Sequence, residues 1–179
     1  MVYFPSYRLM REVFREFVKL GFGFRCLMQM PDMSDPERES FLSQFSSEGG
    51  GTLVGFAVLG GIFAEGIDLV GERLIGSIIV GVGLAQPNSE SNLIAEYYTE
   101  AGMNGYNYAY LYPGFNKVMQ AAGRVIRTES DRGIVILIDD RYATPEYVRV
   151  LPKHWSQMKL IGDTKSLKVA LAKFWRESN

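Results

Sequence analysis

Short runs that are apolar at most positions, rather than at every second one, recur along these 179 residues, and most are followed by a stretch of helical periodicity. A strand without a polar face has to be covered on both sides, and strands of that kind alternating with helices build a parallel sheet between two helical layers. Residues 2–4, 24–28, 53–59, 75–81, 133–138 and a short 158–161 read as the strands; 53–59 is too apolar for a sheet edge. After the first of them, Leu9, Met10, Val13, Phe14, Phe17 and Val18 recur at helical spacing, and Gly21 stands where a C′ glycine ends a helix. Ser34-Asp35-Pro36-Glu37 is a capping box with proline in the first turn, opening a helix that buries Phe41, Leu42 and Phe45. Further helices are expected around Leu93–Ala101, over 115–127 and over 164–175. The expected fold is therefore α/β, a three-layer domain with a mostly parallel sheet and helices on both faces. No internal repeat or long linker divides residues 1–179, so one domain is expected.

Composition narrows the function classes. Nineteen basic and twenty acidic residues give a net charge of −1, which excludes a binder relying on bulk positive charge but leaves room for a local basic groove. No apolar run reaches the roughly 20 residues of a membrane helix, so no membrane partner is expected. One cysteine, Cys26, excludes an internal disulfide framework and suits a reducing, intracellular location, cytoplasmic or with the DNA in nucleoid or nucleus. It also excludes a multi-cysteine metal site, and His154 has no ligand-type neighbours; no metal is expected in this chain. There is no basic, apolar leader, and an opening inside a buried strand reads as a segment of a longer protein.

In parallel sheets ligands sit at the carboxyl ends of the strands, which directs attention to the loops after Leu59, Gly81 and Ile138. Between Gln120 and Arg127 the periodicity places Gln120, Arg124 and Arg127 within about 60° of one another, opposite Phe115, Val118, Met119, Ala122, Val125 and Ile126. Guanidinium groups in a row suit a transferring phosphoryl group, whose growing charge needs planar multidentate donors; a solvated helix face has the same pattern. Gly123, mid-helix on this reading, costs roughly 1 kcal/mol relative to alanine and points to a close approach of something to the backbone. The loop from Gly60 to Asp68 joins Gly60, Gly61 and Gly66 to two carboxylates, Glu65 and Asp68. Its glycines would free amides for an anion, or simply close a tight turn. Tyr97, Tyr98, Tyr106, Tyr108, Tyr110 and Tyr112 suit either base stacking or packing beneath a connection. Arg8, Arg11, Arg15 and Lys19 form a basic stripe that suits a DNA backbone or solvent equally.

Together these segments resemble the second RecA-like motor domain of superfamily 2 DNA helicases in the XPD/DinG branch. Phe4-Pro5-Ser6-Tyr7 is similar to motif IV, Ala64-Glu65-Gly66-Ile67-Asp68 to motif V, and Gln120 to Arg127 matches motif VI, Q-x-x-G-R-x-I-R, at each defined position. Asp140-Arg141 and Leu151-Pro152 with Trp155 continue the pattern. Ala64 replaces the usual serine or tryptophan, and Leu84-Ala85-Gln86-Pro87 departs from the usual run after its strand. The resemblance implies a RecA-like domain of an ATP-dependent DNA helicase, with a role in DNA repair among those open to it. Arg124 and Arg127 would then reach the γ-phosphate of ATP held on a first motor domain, with Gln120 on that phosphate or the attacking water. Glu65, Gly66 and Asp68 would couple to the nucleotide; Ser6, Tyr7 and Gly61 would lie along single-stranded DNA. It also implies that ATP and Mg2+ are held mainly by the first domain, which in many members carries an iron–sulfur cluster. No Gly-Lys dipeptide and no acidic box of the Walker B kind occur, so this chain alone is expected to be inactive. The other readings are a stand-alone nucleotide-binding α/β domain, which lacks a phosphate loop here, and a degenerate helicase scaffold, against which the intact Gln120/Arg124/Arg127 set argues.

Overall fold

The computed structural model describes residues 1–46, 51–65, 69, 73–126, 128 and 131–177. They group into two compact units, Met1–Tyr142 and a second beginning at Ala143. The first holds one five-stranded sheet of β1 (Val2–Phe4), β2 (Arg25–Met28), β3 (Leu53–Val58), β4 (Gly76–Val80) and β5 (Ile134–Ile138), in the order β2-β3-β1-β4-β5. Each neighbouring pair is parallel, with Tyr3 opposite Ala57 and Ile79, and Ile78 opposite Ile136. The helices of this unit are α1 (Tyr7–Lys19), α2 (Asp35–Ser43), α3 (Ile62–Glu65), α4 (Ser89–Glu100) and α5 (Tyr112–Ala122), the last preceded by a π-helical segment at Asn107–Leu111.

Both sheet faces are covered, as the fully apolar strands require. Side chains alternate across a strand, so Phe4 and its neighbour Tyr3 point to opposite layers. On one face Phe4, Phe56 and Met10 form a buried cluster under α1, with Phe14 and Phe17 edge-on to Phe56 at 5.1 and 5.4 Å. On the other, Tyr3 Oη donates to the Phe63 carbonyl of α3 at 3.1 Å and Ser77 Oγ donates to the Ala121 carbonyl of α5 at 3.3 Å. The chain therefore leaves β1 toward one layer and leaves the adjacent β3 toward the other, which opens a crevice at their carboxyl ends. The capping box forms, with the Ser34 amide donating to Glu37 Oε2 at 2.7 Å.

Two expectations about elements fail. The helix whose firm part is expected over 115–127 begins at Tyr112 but ends at Ala122, where Gly123 becomes its C-cap and donates to the Met119 carbonyl at 2.9 Å. The chain then turns so that Val125 is buried, while Ile126, expected on the core side, is 49% exposed. Residues 158–161 form no strand: Leu160 is 72% exposed, and a few apolar residues without a neighbouring ladder leave their backbone unpaired. This segment lies in the second unit, whose helices are α6 (Pro145–Val148) and α7 (Thr164–Arg176), the latter capped by Asp163 accepting from the Ser166 amide at 2.8 Å. Among the described residues no helix is long and apolar enough to cross a membrane.

Candidate functional site

Proline after β1 stops the strand, and Ser6 then sits in extended backbone with its Oγ accepting from the Leu9 amide at 3.2 Å, the N-cap of α1. Tyr7 begins the helix. Its hydroxyl accepts from Gln29 Nε2 at 2.9 Å, and the Arg11 guanidinium lies 5.9 Å from its ring centre. At the end of β3 the Leu59 amide donates to the Phe4 carbonyl at 2.8 Å, tying the two strand ends together. Gly60 then takes φ +73°, a left-handed conformation that disfavours side chains, and a Cβ there would lie 2.8 Å from Lys117 Cδ. The lysine stem of α5 therefore covers this turn.

The turn is closed rather than open. Gly61 donates its amide to the Val58 carbonyl at 3.1 Å, and its own carbonyl accepts from the Ala64 amide at 2.8 Å. Of the two readings of this loop, the described part fits the tight turn: the Gly61 and Ala64 amides are spent on the turn and on α3. Glu65 ends α3, but its side chain lies outside the described residues, as do Gly66 and Asp68.

Motif VI begins on the last turn of α5. Gln120 is exposed there. Gly123 has φ −66°, which any residue adopts, so its presence is not required by the backbone, and it caps the helix instead of interrupting it. The turn after it brings Arg124 to the β3 loop, where Nε donates to the Ala64 carbonyl at 3.0 Å, partly buried. Anchoring at Nε fixes the plane of the guanidinium and orders a side chain that would otherwise lose several rotamers' worth of freedom on meeting a ligand. Arg127 lies outside the described residues. Of the expected site, then, Arg124 is brought to the motif V loop and Ser6 and Tyr7 are brought to the neighbouring loop, while Gln120 lies on the last turn of α5, before the chain turns toward Arg124.

Two residues escaped the sequence reading. Gln29 is 2% exposed at the end of β2, and its Oε1 accepts from the Val58 amide at 2.9 Å. A lone amide between Met28 and Met30 was its only signal. On the helical projection that groups Gln120 with Arg124, Lys117 falls on the same side at i−3 and i−7, so that projection would have found it. At the far end of the edge, Asp139 after β5 accepts from Arg141 Nε at 2.9 Å and Nη2 at 2.8 Å, and this side chain holds its carboxyl below the usual range. Among the described residues no group of three or more His, Cys, Asp or Glu side chains is arranged to hold a metal ion.

The helicase C-terminal domain family matches residues 1–158. The ATP-dependent DNA helicase chl-1 of Caenorhabditis elegans is 35% identical over 126 residues, covering 69% of this chain and 14% of that protein. The ATP-dependent DNA helicase DinG of Photobacterium profundum is 35% identical over 92 residues, covering 51% of this chain and 13% of that protein. A solved XPD helicase structure superposes with a TM-score of 0.64 at 23% identity, over 83% of this chain and 26% of that one, and so shares its fold. The matched region is less than a fifth of each curated relative's length. With its five-stranded parallel RecA-like sheet and its match across residues 1–158, this chain belongs to the helicase C-terminal domain family, the one found in DinG- and XPD-type ATP-dependent helicases.

Proposed function

We propose that this chain is the second motor domain of an ATP-dependent DNA helicase and completes an ATP site whose phosphate loop stands on a first RecA-like domain. The observation that carries this reading is Arg124, fixed through Nε on the carbonyl of Ala64 beside the carboxyl edge of the sheet. A guanidinium held in plane meets a γ-phosphoryl group without reorganising, which is what stabilises charge developing on its oxygens. Arg127 is the second such donor, and Gln120 orients the phosphate or the attacking water. Glu65, Gly66 and Asp68 tie nucleotide state to this loop. Ser6, Tyr7 and Gly61 lie along the backbone of single-stranded DNA. ATP and Mg2+ are held mainly by the first domain; the described residues fit a contact to the triphosphate but offer no carboxylate set for the ion. When bound, Mg2+ neutralises phosphate charge; this chain's own contribution is the arginine side of the site. Closure of the two domains on ATP and their opening after hydrolysis would move the protein along the strand.

The test is the purified chain beside the complete helicase. The chain alone should hydrolyse no ATP above blank, while the complete protein should do so in a manner stimulated by single-stranded DNA. Turnover by the chain alone, or a complete protein indifferent to DNA, would contradict the reading.

A further inference from the structure

We infer that Gln29 is a positioning residue that couples the nucleic-acid side of this domain to its arginine; the inference rests on the functional reading above. A buried amide is costly to leave unpaired, and Gln29 pairs a side-chain N–H, its side-chain carbonyl and its backbone N–H on α1 and β3. Its backbone amide donates to the Phe56 carbonyl at 2.8 Å, its Nε2 donates to Tyr7 Oη at 2.9 Å, and its Oε1 accepts from the Val58 amide at 2.9 Å. From there the bonding continues without a gap. The Val58 carbonyl accepts from Gly61 at 3.1 Å, the Gly61 carbonyl accepts from Ala64 at 2.8 Å, and the Ala64 carbonyl accepts from Arg124 Nε at 3.0 Å.

The position explains why the tie is a glutamine. β2 is an edge strand, separated from β1 by β3, so only a long side chain at its end reaches Tyr7 over the end of β3. Tyr7 opens the helix that covers one face of the sheet, and Gly60-Gly61 opens the turn that leads to the other. Gln29 is thus a bridge over the crevice where the two loops part, and it touches neither of the proposed ligands. An apolar side chain of the same length would fill the space but leave the Val58 amide unpaired and Tyr7 untethered. DNA pressing on Tyr7 then shifts the bridge, the turn it holds and the carbonyl on which the Arg124 plane rests. Such coupling requires that the two loop arrangements differ in their affinity for the strand.

The experiment uses the complete helicase and an oligothymidylate. Gln29→Met keeps the side-chain length and removes the amide. DNA-free ATP turnover and the half-saturating DNA concentration should stay within about twofold of wild type, while maximal stimulation at saturating DNA should fall at least about fivefold. Unchanged maximal stimulation, or equal loss with and without DNA, overturns the inference, the latter because it marks a merely structural role. Should Gln29→Met fail to fold, Gln29→Asn keeps the amide but is one carbon too short to span from the Val58 amide to Tyr7, and the same loss at saturating DNA is expected; full stimulation there overturns it equally. A wild-type protein with no DNA stimulation would instead defeat the functional reading and the coupling together, whereas stimulated wild type with stimulated variants defeats the coupling alone.

Discussion

Asp139 takes two hydrogen bonds from the Arg141 side chain and one, at 3.0 Å, from the Arg141 amide. Because its folded-state pKa is depressed, chiefly by the Arg141 side-chain bond, the stability it contributes is complete above the ordinary aspartate value and is lost as pH falls through the folded one. The pair is partly exposed, with side-chain exposures of 47% and 17%, which limits it to about 1 kcal/mol. Asp139→Asn should therefore lower the thermal midpoint by roughly 2–4 °C at pH 7, and the gap should close as the acid limb is descended. Equal gaps at pH 7 and pH 3 would show that the carboxylate does not act through its charge. Arg124 was legible as a motif residue, but its anchor was not: a backbone carbonyl carries no residue-type signature. Gln29 was invisible for the same reason, since its partners are a tyrosine 22 positions earlier and an amide 29 positions later.

Among the elements, α5 departs furthest from expectation. Its start is fixed by a backbone approach: Gly83, at φ +73°, would place a Cβ 2.3 Å from the Gly114 carbonyl oxygen. Gly83→Ala should cost at least about 2 kcal/mol, combining left-handed strain with a clash against main chain that has no flexible end to yield. Gly123 is the contrast. At φ −66° and exposed, it should accept alanine with stability changed by less than about 1 kcal/mol. Chemical denaturation of the two variants separates these cases, and a destabilised Gly123→Ala beside a tolerated Gly83→Ala would refute the packing described for this helix. Periodicity located all five strands of the sheet to within one residue or so because each is largely apolar on both faces. It overran the end of α5 because Val125 and Ile126 continue the apolar spacing, whereas the chain uses Gly123 to turn, burying the first and exposing the second. At 158–161 the apolar run was real but had no neighbouring strand to make it a ladder.

At the scale of the whole molecule, the sheet delivers two loops and one arginine-bearing helix end to a common edge. Nothing in the sequence supplies the phosphate loop that such an edge would complement. On the reading proposed above, the chain is half of an active site and positions charge-stabilising groups for a nucleotide held on another domain. Its near-neutral net charge agrees with a domain that meets nucleic acid through a local contact rather than through its overall field. The claim is tested most directly by ATP turnover of the complete helicase carrying Arg124→Ala, at saturating ATP and single-stranded DNA, with circular dichroism to verify the fold. The account predicts a loss of at least about 10³ with the fold intact, the lower end for an arginine that meets the transferring phosphoryl group. Turnover within about tenfold of wild type would contradict it, because no such arginine can be lost so cheaply.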